Sequence, residues 1–213
     1  LYSLDLSSFE TLKVKNMSGI FSSIFYLHDL NIEKFDTSNV EDMSYMFKGL
    51  NNLKKIEMAN FGTSKVTSMY QMFMGDSSLT SIDLSKFNTN LVDDMSGMFQ
   101  NCSSLTILDL SNFNTTLVTD MYRMFEEDTY LEELDLTGFN TSKITDMSYM
   151  FYDCRRLKEL KIKTFNTNNV VDMSHMFEKC YQLASLDLSS FNTEKVTNRE
   201  RMFSETKIVN FDL

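Results

Sequence analysis

The chain has no run of about 18 apolar residues and no charged segment leading into an apolar one. It has two histidines, three cysteines, and neither proline nor tryptophan. Each shortage removes a class of function. Without a long apolar run there is no transmembrane helix, so this segment is not expected to insert into a membrane. His28 and His175 lie roughly 25 to 30 Å apart on a stack rising about 5 Å per turn, and no catalytic triad can be assembled from them. Both are read as structural or surface residues. Cys102, Cys154 and Cys180 contain no C-x-x-C pair, so they give no zinc signal. Positive charge is also short, with 20 Lys and Arg against 30 Asp and Glu, a net charge of -10 and a pI of about 4.7. Nucleic acid and anionic membranes would be repelled at long range.

What the sequence does have is a repeat. Phe9, Phe35, Phe61, Phe87, Phe113, Phe139, Phe165 and Phe191 recur every 26 residues without an insertion, which makes eight turns. A ninth begins at "IVNFDL", where Ile208, Phe211 and Leu213 fit only after one residue is deleted. A fixed period of this kind signals a solenoid, in which one turn cannot bury its apolar face alone. Leu79, Ile82 and Leu84, then Leu105, Leu108 and Leu110, then Leu131, Leu134 and Leu136 follow L-x-x-L-x-L, the alternation of a short strand facing a core. A turn follows, with Thr11, Thr37, Thr63, Thr89, Thr115, Thr141, Thr167 and Thr193 at one place, where hydroxyls bond to nearby backbone. Asn16, Asp42, Ser68, Asp94, Asp120, Asp146, Asp172 and Asn198 form the next column, all favoured helix N-caps. They precede apolar residues spaced like Met147, Met150 and Phe151, one face of a helix, so a short helix ending near Cys154 is expected in each turn. Of the 16 methionines 14 lie in these columns, and 16 of the 18 phenylalanines lie in the two Phe columns. They are therefore the continuous interior of the stack, where Met fills irregular gaps beside the rings.

"LTSIDLSKFNTNLVDDMSGMFQNCSSL" and "LEELDLTGFNTSKITDMSYMFYDCRRL" resemble the repeat of BspA-like leucine-rich-repeat surface proteins, in particular the type abundant in mycoplasma lipoproteins. The resemblance spans the chain and rests on F-N-T, V-x-x-M-x-x-M-F and C-x-x-L at fixed spacing. Ordinary leucine-rich repeats carry an Asn ladder where this chain has Phe139, Phe165 and their equivalents. The fold expected is an α/β, right-handed leucine-rich-repeat solenoid, with short parallel strands on one face and short helices on the other. It comprises about eight 26-residue turns in one domain spanning 1–213, about 40 Å long. The chain starts without methionine and stops within the pattern, so it is expected to be a fragment of a longer surface protein. Uncapped Leu1, Leu4, Leu6, Phe211 and Leu213 point to flanking sequence or end-to-end self-association.

The resemblance implies a module outside a bacterial cell, attached through segments not present here and adhering to a host extracellular-matrix or cell-surface protein or an acidic glycan. The alternative is a structural stalk or an antigenically variable shield without a specific ligand. Two features are candidate contacts. Asp83, Asp109, Asp135 and Asp187, with Asp5, lie between inward residues and should point outward from the strands. Successive members about 5 Å apart match the carboxyl separation of retaining glycosidases. A ladder that repeats one environment does not supply a distinct acid and nucleophile, so no catalytic residue is expected. A weak Ca²⁺ site is more plausible than catalysis, yet no Asp-Gly-rich loop completes a coordination shell. Neither cofactor nor metal is expected, and solvated polar positions are the leading reading. The second feature is "CRRLKELKIKTF", where Arg155, Arg156, Lys158, Lys161 and Lys163 form a basic departure from an acidic consensus and would attract an acidic partner. Cys154 and Cys180 are one turn apart, within reach of a disulfide; buried free thiols are the favoured alternative.

Overall fold

The computed structural model describes residues 1–58 and 60–208. Each 26-residue turn is one coil of a stack, and residues in one column lie beside their equivalents one coil away. Among the described residues, four strands of three residues form two parallel pairs. The strand β1 (Ser3–Asp5) pairs with β2 (Asp29–Asn31), and β3 (Glu133–Asp135) with β4 (Glu159–Lys161). Glu133 faces Glu159 and Asp135 faces Lys161, a register of one whole repeat. Ser81 and Ile107 add an isolated parallel bridge on the same face. The central leucine points inward: Leu134 and Leu160 are buried while their strand neighbours are exposed.

The expected helices do not form. No helix is found among the described residues, and the N-cap column becomes a second parallel ladder. Asn16, Asp42, Ser68, Asp94 and Asp120 bridge in succession, as do Asp146, Asp172 and Asn198. Every turn carries two left-handed residues four positions apart, for example Tyr149 (φ 58) and Asp153 (φ 60) in turn 6. A right-handed helix would break at each, because it needs negative φ at every residue. The hydrogen bonds explain what replaces it. The N–H groups of Met147, Tyr149, Phe151 and Asp153 donate to Asp172, Ser174, Met176 and Glu178 of the next coil. Those of Met150, Tyr152 and Cys154 donate three residues back, to Met147, Tyr149 and Phe151. Ser148 N–H donates to Asp146 Oδ1 at 2.7 Å. All eight donors are thus satisfied, alternately between coils and within tight turns, as buried backbone requires.

The interior follows the columns. Phe21, Phe47, Phe73, Phe99, Phe125, Phe151, Phe177 and Phe203 form one offset stack with centroids 5.5 to 5.9 Å apart and planes within 15°. Such pairs add about 0.5–1.5 kcal/mol each to burial of about 1.5–3 kcal/mol per ring. Met147, Met150, Ile144, Leu157, Ile162 and Phe165 close the core around turn 6. The threonine hydroxyls join coils rather than closing their own turn. Thr115 Oγ1 donates to Asn140 O at 3.0 Å and accepts from Asn140 N–H at 2.8 Å. Thr11, Thr63, Thr89, Thr141 and Thr167 each grip the N–H and C=O of one residue of the next coil in the same two-bond manner.

The cysteines are free and buried. Cys102, Cys154 and Cys180 direct their thiols to the carbonyls of Phe73, Phe125 and Phe151. In the same column Asp76 and Asp128 accept the N–H groups of Leu50 and Cys102 at 2.8 and 2.9 Å. Burial pushes both carboxyl groups well above the ordinary aspartate value. Ile208 is buried, whereas Phe211 and Leu213 of the expected ninth turn lie outside the described residues.

Candidate interaction surface

The strand face is where side chains between the inward leucines reach solvent. One groove of about 480 Å³ crosses it on turns 5 to 7, residues 105–182. Leu108 and Leu134 form its floor, and Ile107, Tyr130, Asp109, Glu133, Asp135 and Glu159 stand around it with Arg156 and Lys161. It therefore gathers four of the nine expected contact residues: Asp109, Asp135, Arg156 and Lys161.

The other five lie outside that lining. Lys158 is next to it and pairs with Glu132 at 2.7 Å. Arg155 sits before the strand and forms a forked pair with Asp153, the nearest contact being 2.8 Å. Lys163 is exposed beyond the strand, and its charge adds a little to the hydrogen bonds from Ser189 that lower the Asp187 carboxyl. Asp83 belongs to a smaller cavity of about 170 Å³ with Lys55 and Lys86. Asp187 stands on turn 8, its Oδ1 taken by Ser189.

Geometry changes what both features can do chemically. The outward aspartates each close a local turn: Asp109 accepts Ser111 N–H at 2.9 Å, and Asp135 accepts Thr137 N–H at 3.0 Å. These bonds hold both carboxyl groups below the ordinary value. Neighbouring carboxylates shifted in one direction do not divide into acid and nucleophile. The cations are mostly neutralised by acids one coil back or on the same strand. Lys161 lies 3.2 Å from Glu159 and 3.4 Å from Asp135, and these pairs raise its own pKa. Arg156 instead covers the Tyr130 ring, its guanidinium carbon 4.0 Å from the centroid. The patch that reads as basic in sequence is thus charge-mixed in space. Among the described residues no group of three or more His, Cys, Asp or Glu side chains is placed to hold a metal ion. No helix among them is long and apolar enough to cross a membrane.

Two elements escaped the sequence reading. Ile107 is 71% exposed at the groove edge, in a column otherwise made of Ser3, Asp29, Lys55, Ser81, Glu133, Glu159 and Ser185. Reading that column for polarity would have found it. Tyr130, 45% exposed, stands in the position held by Ser104 and Ser78 one and two turns earlier and by Tyr26 in turn 1. On the second ladder an aromatic and cationic stripe runs across turns 5 to 7. Arg123 lies between the rings of Tyr122 and Tyr149 at 4.8 and 4.5 Å, and Tyr149 stacks on His175 at 4.5 Å. Arg123 pairs with buried Glu126, and His175 and Arg201 both pair with buried Glu178. This stripe therefore ties coils together, which agrees with the structural reading of His175. His28 stacks on Tyr2 at 4.2 Å on the strand face.

Comparison with known proteins fits this architecture. Residues 15–134 and 119–213 match the family described as "Mycoplasma protein of unknown function, DUF285". No curated protein matches. Among solved structures, a leucine-rich repeat protein from Eubacterium ventriosum aligns with TM-score 0.61 at 19% identity, over 93% of this chain and 59% of that one. The leucine-rich repeat protein of T. pallidum aligns with TM-score 0.53 at 17% identity, over 92% of this chain and 85% of that one. The chain thus spans about three fifths of the first of these proteins. The leucine-rich-repeat fold and the resemblance to the BspA-like repeat are both borne out.

Proposed function

We propose, from the premise that the chain belongs to the DUF285 family of mycoplasma proteins, that it is a non-catalytic protein-interaction module displayed outside a bacterial cell for adhesion. The strand-face groove of turns 5 to 7 is its contact site. The observation that carries this reading is Ile107, a large apolar side chain left 71% exposed in an otherwise polar column. Beside it Arg156 and Tyr130 add the kind of aromatic and guanidinium surface enriched at contact sites. Contacts repeated at the coil spacing would add along an extended partner. The groove is open, and its carboxylates share one exposed environment, which supports binding over catalysis.

A stalk or shield is the second reading, favoured by the regularity of the threonine grip and the phenylalanine stack, which continue unchanged through most turns. The two are separated by capture of the purified chain on immobilised host matrix and cell-surface proteins. Adhesion predicts saturable capture on at least one of them. Absence of capture at both low and physiological salt would leave the stalk.

A further inference from the structure

We propose that the groove on turns 5 to 7 takes a cationic, apolar-bearing segment of a protein, one aliphatic or aromatic side chain resting on Ile107 with lysines or arginines among the surrounding carboxylates. This rests on the reading of the chain as a protein-binding module and reverses the sign of partner that the basic sequence stretch suggests.

Two independent features of the groove select this chemistry. The first is apolar: the exposed Ile107 projects beside Tyr130 over a floor of Leu108 and Leu134. A side chain placed there removes apolar surface from water on both partners. The second is charge. The groove is lined by five acids, Asp109, Glu132, Glu133, Asp135 and Glu159, against two bases, Arg156 and Lys161, and Lys158 beside it neutralises Glu132, which still leaves two more acids than bases. Lys161 is already engaged by Asp135 and Glu159, and Arg156 lies on Tyr130. Asp109 and Glu133 have no ion-pair partner among the described residues. The excess is negative, on a chain whose net charge is -10. An acidic glycan would bring like charge into this excess, whereas a basic peptide complements it and is steered toward it. Bare polycations lack the apolar half, and bare apolar peptides lack the charged half.

The test uses fluorescein-labelled nine-residue peptides and fluorescence anisotropy at low salt and at about 150 mM salt. One peptide alternates leucine and lysine, a second replaces lysine by glutamate, and a third replaces leucine by serine. Ile107→Ser is the decisive variant, because Ser81 and Ser185 already occupy its column and the fold accepts serine there. Val171→Thr, an exposed position on the second ladder with Thr145 and Thr197 in its column, is the control. The expected result is saturable binding of the leucine–lysine peptide that weakens with salt. Ile107→Ser should weaken it about tenfold or more, Val171→Thr should leave it unchanged, and the other two peptides should bind at least about tenfold more weakly.

No binding of the leucine–lysine peptide, equal binding of the glutamate peptide, or an unaffected Ile107→Ser variant would overturn the proposal. Displacement of the peptide by heparin fragments bound at the groove would do the same. The matrix-protein capture separates this failure from that of adhesion itself. Capture undiminished by Ile107→Ser refutes the groove chemistry alone, whereas absence of any capture refutes adhesion.

Discussion

Thr115→Val isolates the bond that joins one coil to the next. The Thr115 hydroxyl is buried and makes two hydrogen bonds to the main chain of a single residue, at 3.0 Å to Asn140 O and 2.8 Å from Asn140 N–H. Valine has nearly the same shape, so packing is retained while the donor and the acceptor both disappear. Each lost bond is worth about 0.5–1.5 kcal/mol net, and each backbone group left buried without a partner costs about 1–3 kcal/mol. The expected destabilisation is about 2–4 kcal/mol. Thr119 lies in the same turn but is exposed, with one long contact of 3.3 Å to Asp93 O, so Thr119→Val should stay within about 0.5 kcal/mol. Thr115→Ser completes the set, since it keeps the hydroxyl and drops only a methyl, about 1 kcal/mol. Urea unfolding followed by far-UV circular dichroism reads these as midpoint shifts. With a slope of about 3 kcal/mol/M the Thr115→Val midpoint falls by about 1 M. All three substitutions lie in one turn, so any departure of the stack from all-or-none unfolding affects them alike. Equal shifts for Thr115→Val and Thr119→Val, or a smaller loss for valine than for serine at position 115, would refute the reasoning.

The absence of helix among the described residues gives a second expectation: the far-UV circular dichroism spectrum should lack the paired helical minima, and a spectrum with eight short helices' worth of signal would contradict the two-ladder coil. Asp128 sets a pH dependence, because burial raises its folded-state pKa well above the ordinary value. The folded chain then holds a proton that the unfolded chain releases above about pH 4, so this group's contribution falls as pH rises from there to the folded value and is flat beyond. Asp128→Asn keeps the acceptor for Cys102 N–H and should melt higher than the parent at neutral pH, with the difference shrinking toward pH 4; a pH-independent difference would contradict it. Burial also pushes the thiols of Cys102, Cys154 and Cys180 upward. A thiol reagent should therefore label none of the three in the native chain and all three in denaturant, and two unreactive sulfurs after denaturation without reductant would instead reveal a disulfide.

The columns were legible because each repeat states the same burial problem again. Met147, Met150 and Phe151 read as inward, and all three are buried. Their conformation was not legible, because inward residues at i, i+3 and i+4 suit a helix and a chain of tight turns equally. Asp146 caps no helix, although its carboxylate accepts an N–H two residues on, the same local bond that makes aspartate a favoured cap. What distinguishes the alternatives is where the remaining N–H groups go, and the partners of Tyr149 and Phe151 lie 25 residues away in the next coil. No local window contains that information. The fixed spacing of 26 did contain it in part, since strict repetition without insertion is what a coil-to-coil ladder demands. Charge was misleading for a related reason. Lys158 and Lys161 look like part of a basic run along the chain, yet Lys158 pairs with Glu132 of the previous coil, and Lys161, beside Glu159 on its own strand, also reaches back to Asp135 of that coil.

The columns that hold the coils together and the columns that face solvent on the strand face are consequently different. The phenylalanine stack and the threonine grip depend on identity from coil to coil, because each ring or hydroxyl needs its counterpart one repeat away. The outward strand positions depend on nothing of the kind: in one such column serine, aspartate, lysine, isoleucine and glutamate occupy equivalent places. A change there alters what the surface presents without disturbing the coil beneath. Ile107 stands in this free column directly between Ser81 and Glu133, and its substitution by serine removes an exposed apolar side chain and no buried one. The same separation makes repetition an advantage for recognition, since a rigid row of equivalent positions can be rewritten singly. A loss of binding in Ile107→Ser at unchanged melting temperature is the signature this division requires.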